Sequence, residues 1–476
     1  MQPTTLEAER NEQKKWRLRP RYAGKVNFDR FVAREFLSEN KQKSLCERDI
    51  AAITAVAVRH VPYYRDLFGQ LGWAEGAIRN AEDFSRLPIL TKSASIENAA
   101  RMRADPLPPG ERKGGPTYTS GTTGEKLEVL HSLKSNQIFG VLRQRGHRWF
   151  RYDPKGTQAS ILREDDLPPG QDGNPIALGQ TSRVDGWPFT GVFFQTGPFI
   201  GYSRFNTPDA MADWLSDNQP TYVQAPAAVM EHLALAFQNR GIPPSIRGVP
   251  SLGQELTPGM RRRVESVFGL SVHENYGLNE IGLVASRCPQ GGRFHVHPEV
   301  AHVEIVNEDG TPTEPGSVGK LLVSSLLNTA MPLLRYDTDD SAVAVEGPCP
   351  CGRTLPTFGA VLGRRSRRQG LPAGTEKTVE TVRRIMDTLP AALSGPLRQY
   401  QIHQHESGGF ELILARSGPL SPELSPYLRE SWRLAMAGEK TAFDITEVDH
   451  IVQFESPKFQ HFTSDFIAAD AGLRGN

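Results

Sequence analysis

Six consecutive residues, Thr119-Ser120-Gly121-Thr122-Thr123-Gly124, combine four hydroxyl side chains with two glycines. Glycine lets a ligand approach the backbone closely and permits a positive φ. Successive backbone N–H groups beside hydroxyls form a concave donor surface suited to phosphate oxygens. The glycine spacing differs from that of the G-x-x-x-x-G-K-[ST] phosphate loop. A polar surface turn is the plainer reading of such composition, but hydroxyl density sustained over this string favours phosphate binding. A second concentration of chemistry lies further on, where Cys288 and His295 precede Cys349 and Cys351. Three thiolates and an imidazole complete the closed tetrahedral shell of a structural zinc site. His297 competes as the nitrogen ligand. The alternative is three buried free cysteines serving as small hydrophobes. Three of the chain's four cysteines gather here among Gly and Pro residues, which weighs against it.

These residues need a scaffold to position them. Residues 1–80 read as helical; apolar residues recur at helical spacing through 47–68, interrupted by Pro62. Residues 81–115 are rich in Pro and basic side chains and read as a surface connection. Helical patterns cover 210–215 and 227–239. The stretches 245–253 and 269–277 read as strands ending in glycine, with a helix between them that starts at Thr257 as N-cap and Pro258 at the first position. A strand–helix–strand unit of this length implies a parallel sheet. Residues 300–345 alternate, turn at 308–310 and alternate again, as β-structure does. Beyond a basic run at 364–368, a helix (379–389), a strand (410–415), a helix (422–437) and a strand (445–454) form a small α+β unit. The expected fold class is α/β. A large N-terminal domain of several subdomains (1–362), with parallel sheets and a β-rich segment, precedes a small, mobile α+β C-terminal domain (363–476).

With 476 residues the chain exceeds one compact core. Fifty-five basic residues against 54 acidic ones leave a formal charge of +1, so neither a nucleic acid nor an anionic membrane is an expected partner. The N-terminal residues are polar and lack the apolar stretch of a secretory signal. No window approaches the roughly 20 apolar residues that span a bilayer. A cytoplasmic location is the expectation, and four thiols do not make a disulfide framework.

Several segments together carry a family resemblance. The string 119–124 resembles the phosphate loop of the adenylate-forming superfamily: acyl-coenzyme A synthetases, peptide-synthetase adenylation domains and luciferases. SLGQELTPGMRRRVESVFGLSVHENYGLNEIG (251–282) resembles that family's adenine-binding segments, and LLRYDTDDSA (333–342) its ribose-binding segment. CPCGRTLPTFGAVLGRR (349–365) and HVPYYRDLF (60–68) resemble the phenylacetate–coenzyme A ligase branch more narrowly, and that branch shows a similar Cys/His arrangement. The likeness runs through about 55–365 and continues more weakly to the C-terminus.

The resemblance implies ATP-dependent activation of a small carboxylic acid, an aromatic one by preference, as an acyl-adenylate with release of pyrophosphate. It implies ATP and Mg2+ as cofactors, with Thr119, Ser120, Gly121, Thr122, Thr123 and Gly124 around the β- and γ-phosphates. Tyr276 would lie against the adenine, with Gly277 following it. Asn279 stands where Thr or Ser is usual, and Glu280 would bind magnesium. Gly253, Gln254 and Glu255 would border the adenine and acyl pockets. Asp340 would accept from the ribose hydroxyls, with Asp337 and Asp339 near enough to leave a slip in register open. Arg364 marks the junction with the C-terminal domain, and Ser366 replaces the usual hinge aspartate. Lys458, preceded by Pro457 instead of glycine, matches the lysine that reaches the substrate carboxylate; its plainer reading is a solvated lysine. Thr119, Glu280 and Lys458 form the implied catalytic set. The zinc would be a staple for the β-rich segment.

Trp187, Phe189, Phe193, Phe194, Phe199 and Tyr202, followed by Gln224, could line a pocket for a flat aryl acid or belong to the core. His147 and Arg183 are further candidate contacts. The acceptor is open among coenzyme A, a carrier-protein thiol and an amine, and a homodimer is compatible with the reading. A non-catalytic nucleotide-binding homologue and a zinc-dependent or redox binding protein remain as alternatives from other classes.

Overall fold

The structure, a computed structural model, describes residues 5–22, 28–119, 126–170, 172–238, 240–254, 256–365, 372, 374–394, 396–416, 418–436, 441–449, 451 and 462–466. Helices open the chain, as the sequence pattern predicts: Leu6–Lys15, Phe28–Arg34, Glu39–His60 and Pro62–Gln70. Pro62 has no N–H to continue the long helix, so that helix stops at His60 and Pro62 serves in the first turn of the next. Residues 81–115 are not the surface connection expected. Phe84, Leu87, Leu90 and Met102 are buried in the main core, around the short helices Ala81–Ser85 and Lys92–Glu97. Prolines punctuate this segment, but its apolar residues three apart bury one side.

A long sheet organises the body. Its strands run in the order Thr181–Val184, Phe199–Ser203, Gln158–Leu162 and Tyr222–Gln224. Parallel bridges Tyr222↔Gly248 and Ala225↔Ser251 join this set to Val249–Ser251, Val272–Leu278, Gly282–Arg287, Phe294–Val296 and Thr357–Phe358. Pairing is parallel from Phe199–Ser203 through Val272–Leu278 and antiparallel beyond. The predicted strand–helix–strand unit is present. Thr257 accepts from the Met260 N–H at the start of helix Pro258–Phe268, and Gly269 ends it at φ +65°, a left-handed turn that glycine adopts without penalty. Helices Pro208–Asn218 and Ala227–Phe237 pack on the same parallel strands.

The predicted hairpin also forms. Ala301–Val306 pairs antiparallel with Val318–Ser325, which pairs with Tyr336–Val343 and then Val361–Arg364. The C-terminal sheet has the order Phe443–Val448, Phe410–Arg416, Leu397–Gln404, Phe462–Ser464. Helices Thr375–Asp387 and Leu424–Ala435 cover it, with Val382, Met386, Leu428 and Trp432 against Leu412 and Leu414. The strand Leu397–Gln404 was absent from the sequence reading. Among the described residues no helix is long and apolar enough to cross a membrane.

Candidate active site

Strands Lys113–Tyr118 and Glu128–Ser132 pair antiparallel up to Tyr118↔Glu128, and Thr119, the first residue of the hydroxyl-rich string, follows directly on that pair. Thr119 closes its base: its N–H donates to Leu127 O at 3.0 Å, and its Oγ1 accepts from the Leu127 N–H at 2.9 Å. Thr119 is buried. Ser120, Gly121, Thr122, Thr123 and Gly124 lie outside the described residues. The base is tied to the tyrosine–glutamate segment from both sides. Thr117 Oγ1 donates to Asn279 O at 2.6 Å, and Asn279 Nδ2 donates to Tyr118 O at 2.9 Å. His131 Nε2 lies 2.9 Å from the same Thr117 hydroxyl, and burial holds this imidazole's pKa below its usual value. Asn279 in place of Thr or Ser thus fastens the loop base through its longer side chain.

The segment 276–280 reaches this point because Val272–Leu278 turns tightly into Gly282–Arg287, with Leu278 paired to Gly282 and Gly282 at φ +100°. Asn279 and Glu280 occupy the turn. Two tyrosine–carboxylate pairs then cross between the two sheets. Tyr276 OH donates to Asp340 Oδ2 at 2.8 Å, and Tyr336 OH donates to Glu280 Oε1 at 3.2 Å. Each side therefore supplies a phenol and a carboxylate four residues apart. Burial, and then the Asp340 carboxylate, raise the Tyr276 pKa well above its usual value, which keeps it a donor.

The geometry separates the three aspartates. Asp337 is engaged by Arg365, with Nη2 2.6 Å from its Oδ2. Asp339 sits at φ +66° and donates its N–H to Asp337 Oδ1 at 2.9 Å. Asp340 is the one bonded to Tyr276, and its backbone pairs with Arg364. Gly253 takes φ +71°, and Gln254 Oε1 accepts from the Ala228 N–H at 3.2 Å, in the first turn of helix Ala227–Phe237. Glu255, Ser366 and Lys458 lie outside the described residues.

Cys288, His295, Cys349 and Cys351 converge as one buried cluster whose ligand atoms all lie within 4.8 Å of one another. Cys349 Sγ is 3.7 Å from Cys288 Sγ, and His295 Nε2 is 3.3 Å from Cys351 Sγ. The Cys349 and Cys351 thiols pull the pKa of Cys288 down, and the contact with Cys288 pushes that of Cys349 up. His297 is engaged elsewhere, 3.0 Å from Ser286 Oγ and 2.9 Å from Arg145 Nη1.

Behind the cleft lies a feature that the sequence reading missed. Glu9 and Glu35 are buried among Arg145, Arg148 and Arg353. Arg148 binds both carboxylates. Arg353 Nη2 is 2.6 Å from Glu9 Oε1, and its Nε is 3.2 Å from Glu35 Oε2. Arg145 Nε is 3.2 Å from Glu35, and Arg145 also pairs with Glu299 at 2.8 Å. Arg151 also reaches Glu9 at 3.3 Å and Arg34 lies 3.9 Å from Glu299, so each carboxylate meets more than one guanidinium group. The network joins the first helices to Leu133–Trp149, the helix that follows directly on the loop hairpin, and to the arginine after Cys351-Gly352. Arg145 and Arg148, three apart on one helical face, were the available signal.

Most of the expected aromatic pocket is core. Trp187, Phe193, Phe194 and Phe199 are buried, and Tyr202 stacks on Trp214 at 4.7 Å, whereas Phe189 is 57% exposed. Phe189 and the buried Phe199 border a cleft on the parallel strands, lined also by Arg143, Gln158, Ser160, Asp166 and Gln224. Arg143 donates to Gln224 Oε1 at 2.5 Å and lies 5.7 Å from the centroids of both the Phe139 and Phe189 rings. Burial lowers its pKa to about 10. His147 is a core residue stacked between Trp16 and Tyr152. Arg183 points to Asn218 at the sheet edge. Neither lines the cleft.

Residues 182–331 match the family model described as AMP-binding enzyme. The chain is 24% identical over 424 residues to a phenylacetate–coenzyme A ligase of Thermus thermophilus, across 87% of this chain and 88% of the relative. A phenylacetate–coenzyme A ligase of Pseudomonas putida is 24% identical over 400 residues, across 78% and 84%. The crystal structure of 2-hydroxyisobutyryl-CoA ligase in the postadenylation state, in complex with 2-HIB-AMP, aligns with a TM-score of 0.69 and 16% identity over 92% of this chain and 93% of that one. Residues 182–331 thus match an AMP-binding enzyme domain, the curated relatives that match over most of the chain are phenylacetate–coenzyme A ligases, and the overall fold is that of 2-hydroxyisobutyryl-CoA ligase.

Proposed function

We propose that this chain is an ATP-dependent acid ligase. It would activate a small aromatic carboxylic acid as acyl-AMP, release pyrophosphate, and pass the acyl group to the thiol of coenzyme A. One observation carries the reading: the base of the hydroxyl-rich loop, the Tyr276–Glu280 turn and Asp340 adjoin one another through the Thr117–Asn279, Tyr276–Asp340 and Tyr336–Glu280 hydrogen bonds. Support for the acid and the thiol comes from the relatives named as phenylacetate–coenzyme A ligases.

In this reading the loop 119–124 holds the β- and γ-phosphates, Tyr276 flanks the adenine, and Asp340 exchanges part of its bond to Tyr276 for the ribose hydroxyls. Glu280, released from Tyr336, is the carboxylate that would hold Mg2+, which neutralises phosphate charge when bound. A substrate carboxylate oxygen attacks the α-phosphorus as the bond to pyrophosphate breaks. Lys458, brought by a mobile C-terminal unit beginning near 363, would balance the charge that develops there. The acyl group would occupy the cleft of Arg143, Phe189 and Gln224, with its ring against Phe189. Coenzyme A sulfur then attacks the acyl carbon and AMP leaves. The test is product analysis with ATP, an aryl-acid panel and either coenzyme A or an amine. AMP with an aryl thioester is the expected product, and AMP with an amide would move the acceptor to an amine, as the replacement of the hinge aspartate by Ser366 would favour.

The cysteine cluster would hold a structural zinc. Tetrahedral zinc, with Zn–S near 2.3 Å and Zn–N near 2.0–2.1 Å, sets sulfur–sulfur separations close to the 3.7 Å between Cys288 and Cys349. The C351S protein should lose one equivalent of zinc by metal analysis. Equal zinc in both proteins would rule the site out.

A further inference from the structure

The C-terminal sheet carries a second set of metal-type side chains that neither the nucleotide cleft nor the cysteine cluster uses. His403 lies in the strand Leu397–Gln404, and His405 follows two residues later, so both rings leave the same side of the chain. Their centroids are 4.8 Å apart, edge to face. Asp465 stands just beyond the edge strand Phe462–Ser464, which pairs in parallel with Leu397–Gln404. One ligand atom from each of His403, His405 and Asp465 lies within 4.8 Å of the other two. His403 Nε2 is 3.3 Å from Asp465 Oδ1, and His405 Nε2 is 3.5 Å from Glu411 Oε2. Glu411 is the direct cross-strand partner of His403.

Three of these groups, His403, Asp465 and Glu411, are oriented from behind. His403 Nδ1 is 2.9 Å from Thr463 Oγ1, which can accept its proton and leave Nε2 as the ligand atom. Asp465 Oδ2 accepts the Glu406 N–H at 3.0 Å, and Glu411 Oε1 accepts the Thr446 hydroxyl at 2.5 Å. Outer partners that fix rings and carboxylates in this way accompany metal ligands.

We propose that His403, His405 and Asp465, with Glu411 beside His405, bind a divalent transition-metal ion of the zinc class. Two imidazoles with carboxylates suit Zn2+ or Ni2+ and disfavour Mg2+ and Ca2+, which prefer oxygen alone. All four side chains are part exposed, so the ion can enter from solvent. The bound ion joins two neighbouring strands to the end of the edge strand. That strand has only three paired positions and begins shortly after Lys458 in the sequence. The metal is a staple on the short strand that follows the candidate catalytic lysine.

Untagged full-length protein, dialysed against a chelator and then freed of it, is titrated calorimetrically with Ni2+ and with Zn2+ beside H405A and D465N. Wild type should bind one equivalent more than either variant, or bind that equivalent at least about 10-fold more tightly. The cysteine cluster is present in all three proteins and cancels from the difference. His405 and Asp465 lie outside the apolar core of the C-terminal sheet, so far-ultraviolet circular dichroism of the metal-free variants should match wild type. The conservative D465N covers the case in which H405A perturbs the fold. Equal stoichiometry and affinity in wild type and a folded variant would overturn the site, whatever the outcome of the ligase assays.

Discussion

The cleft and the interior behind it use the same kinds of charged and polar groups in opposite ways. In the cleft, Asp340 and Glu280 each receive a hydroxyl from one tyrosine, across two sheets, and all four side chains come from residues in or beside the strands Val272–Leu278 and Tyr336–Val343. In the interior, Glu35 meets three guanidinium groups and the Trp149 Nε1–H at 2.9 Å. A carboxylate bonded to a neutral phenol can exchange that phenol for a ribose or a metal at little cost. A buried carboxylate matched by several cations cannot give one up, because the remaining charge would be stranded in low dielectric. The cleft is built to exchange partners, whereas the interior fixes the helix Leu133–Trp149 that follows the loop hairpin.

The contrast breaks most sharply at Arg353. R353M leaves Glu9 and Glu35 short of charge and should cost roughly 3–5 kcal/mol of stability, seen as a lower urea midpoint or loss of soluble protein. A midpoint equal to wild type would mean that the network is not a structural lock. In the cleft, E280Q should do the reverse. It should lower ATP–pyrophosphate exchange by about 10²-fold, the scale for losing one charge-stabilising group, while the urea midpoint stays within about 0.5 kcal/mol.

Acid should weaken the interior before the cleft. Burial lowers the pKa of His273 from 6.5 to about 3 and that of His147 well below 6.5. Between those values the unfolded chain binds protons that the folded chain refuses. Stability is therefore full above pH 6.5 and falls as pH drops below it, by up to about 1.4 kcal/mol per pH unit for each histidine. Urea midpoints at pH 7, 6 and 5 should decline, and H273Q should flatten the decline; a midpoint independent of pH would contradict it. The smallest expected effect is Y276F. It removes the hydroxyl that donates to Asp340 and should raise the KM for ATP about five-fold, the scale of one hydrogen bond near 1 kcal/mol, with kcat nearly unchanged.

Much of the scaffold around the cleft was legible. Thr257, Pro258 and Gly269 bracket their helix by local capping chemistry, which depends on neighbours in sequence alone. The Tyr276–Glu280 turn and the Cys/His cluster were legible through residue types and order. Leu133–Trp149 was not read as a helix. Its face carrying Gln144, Arg145, His147 and Arg148 is polar and yet buried, so the pattern shows no apolar stripe. His295, the nitrogen ligand expected, does join the cysteines, whereas its competitor His297, just beyond the strand Phe294–Val296, pairs with Ser286 and Arg145. Asp340 could not be separated from Asp337 and Asp339 until Arg365 and the turn at Asp339 accounted for the other two.

The account rests on one cleft binding one nucleotide beside an acid. The most direct measurement is isotope exchange between pyrophosphate and ATP, with and without benzoate, anthranilate and arylacetate acids. We expect exchange that requires both Mg2+ and one of these acids, and that falls in E280Q and in D340N. Exchange absent with every acid, together with no ATP binding by the wild-type chain, would contradict the assignment.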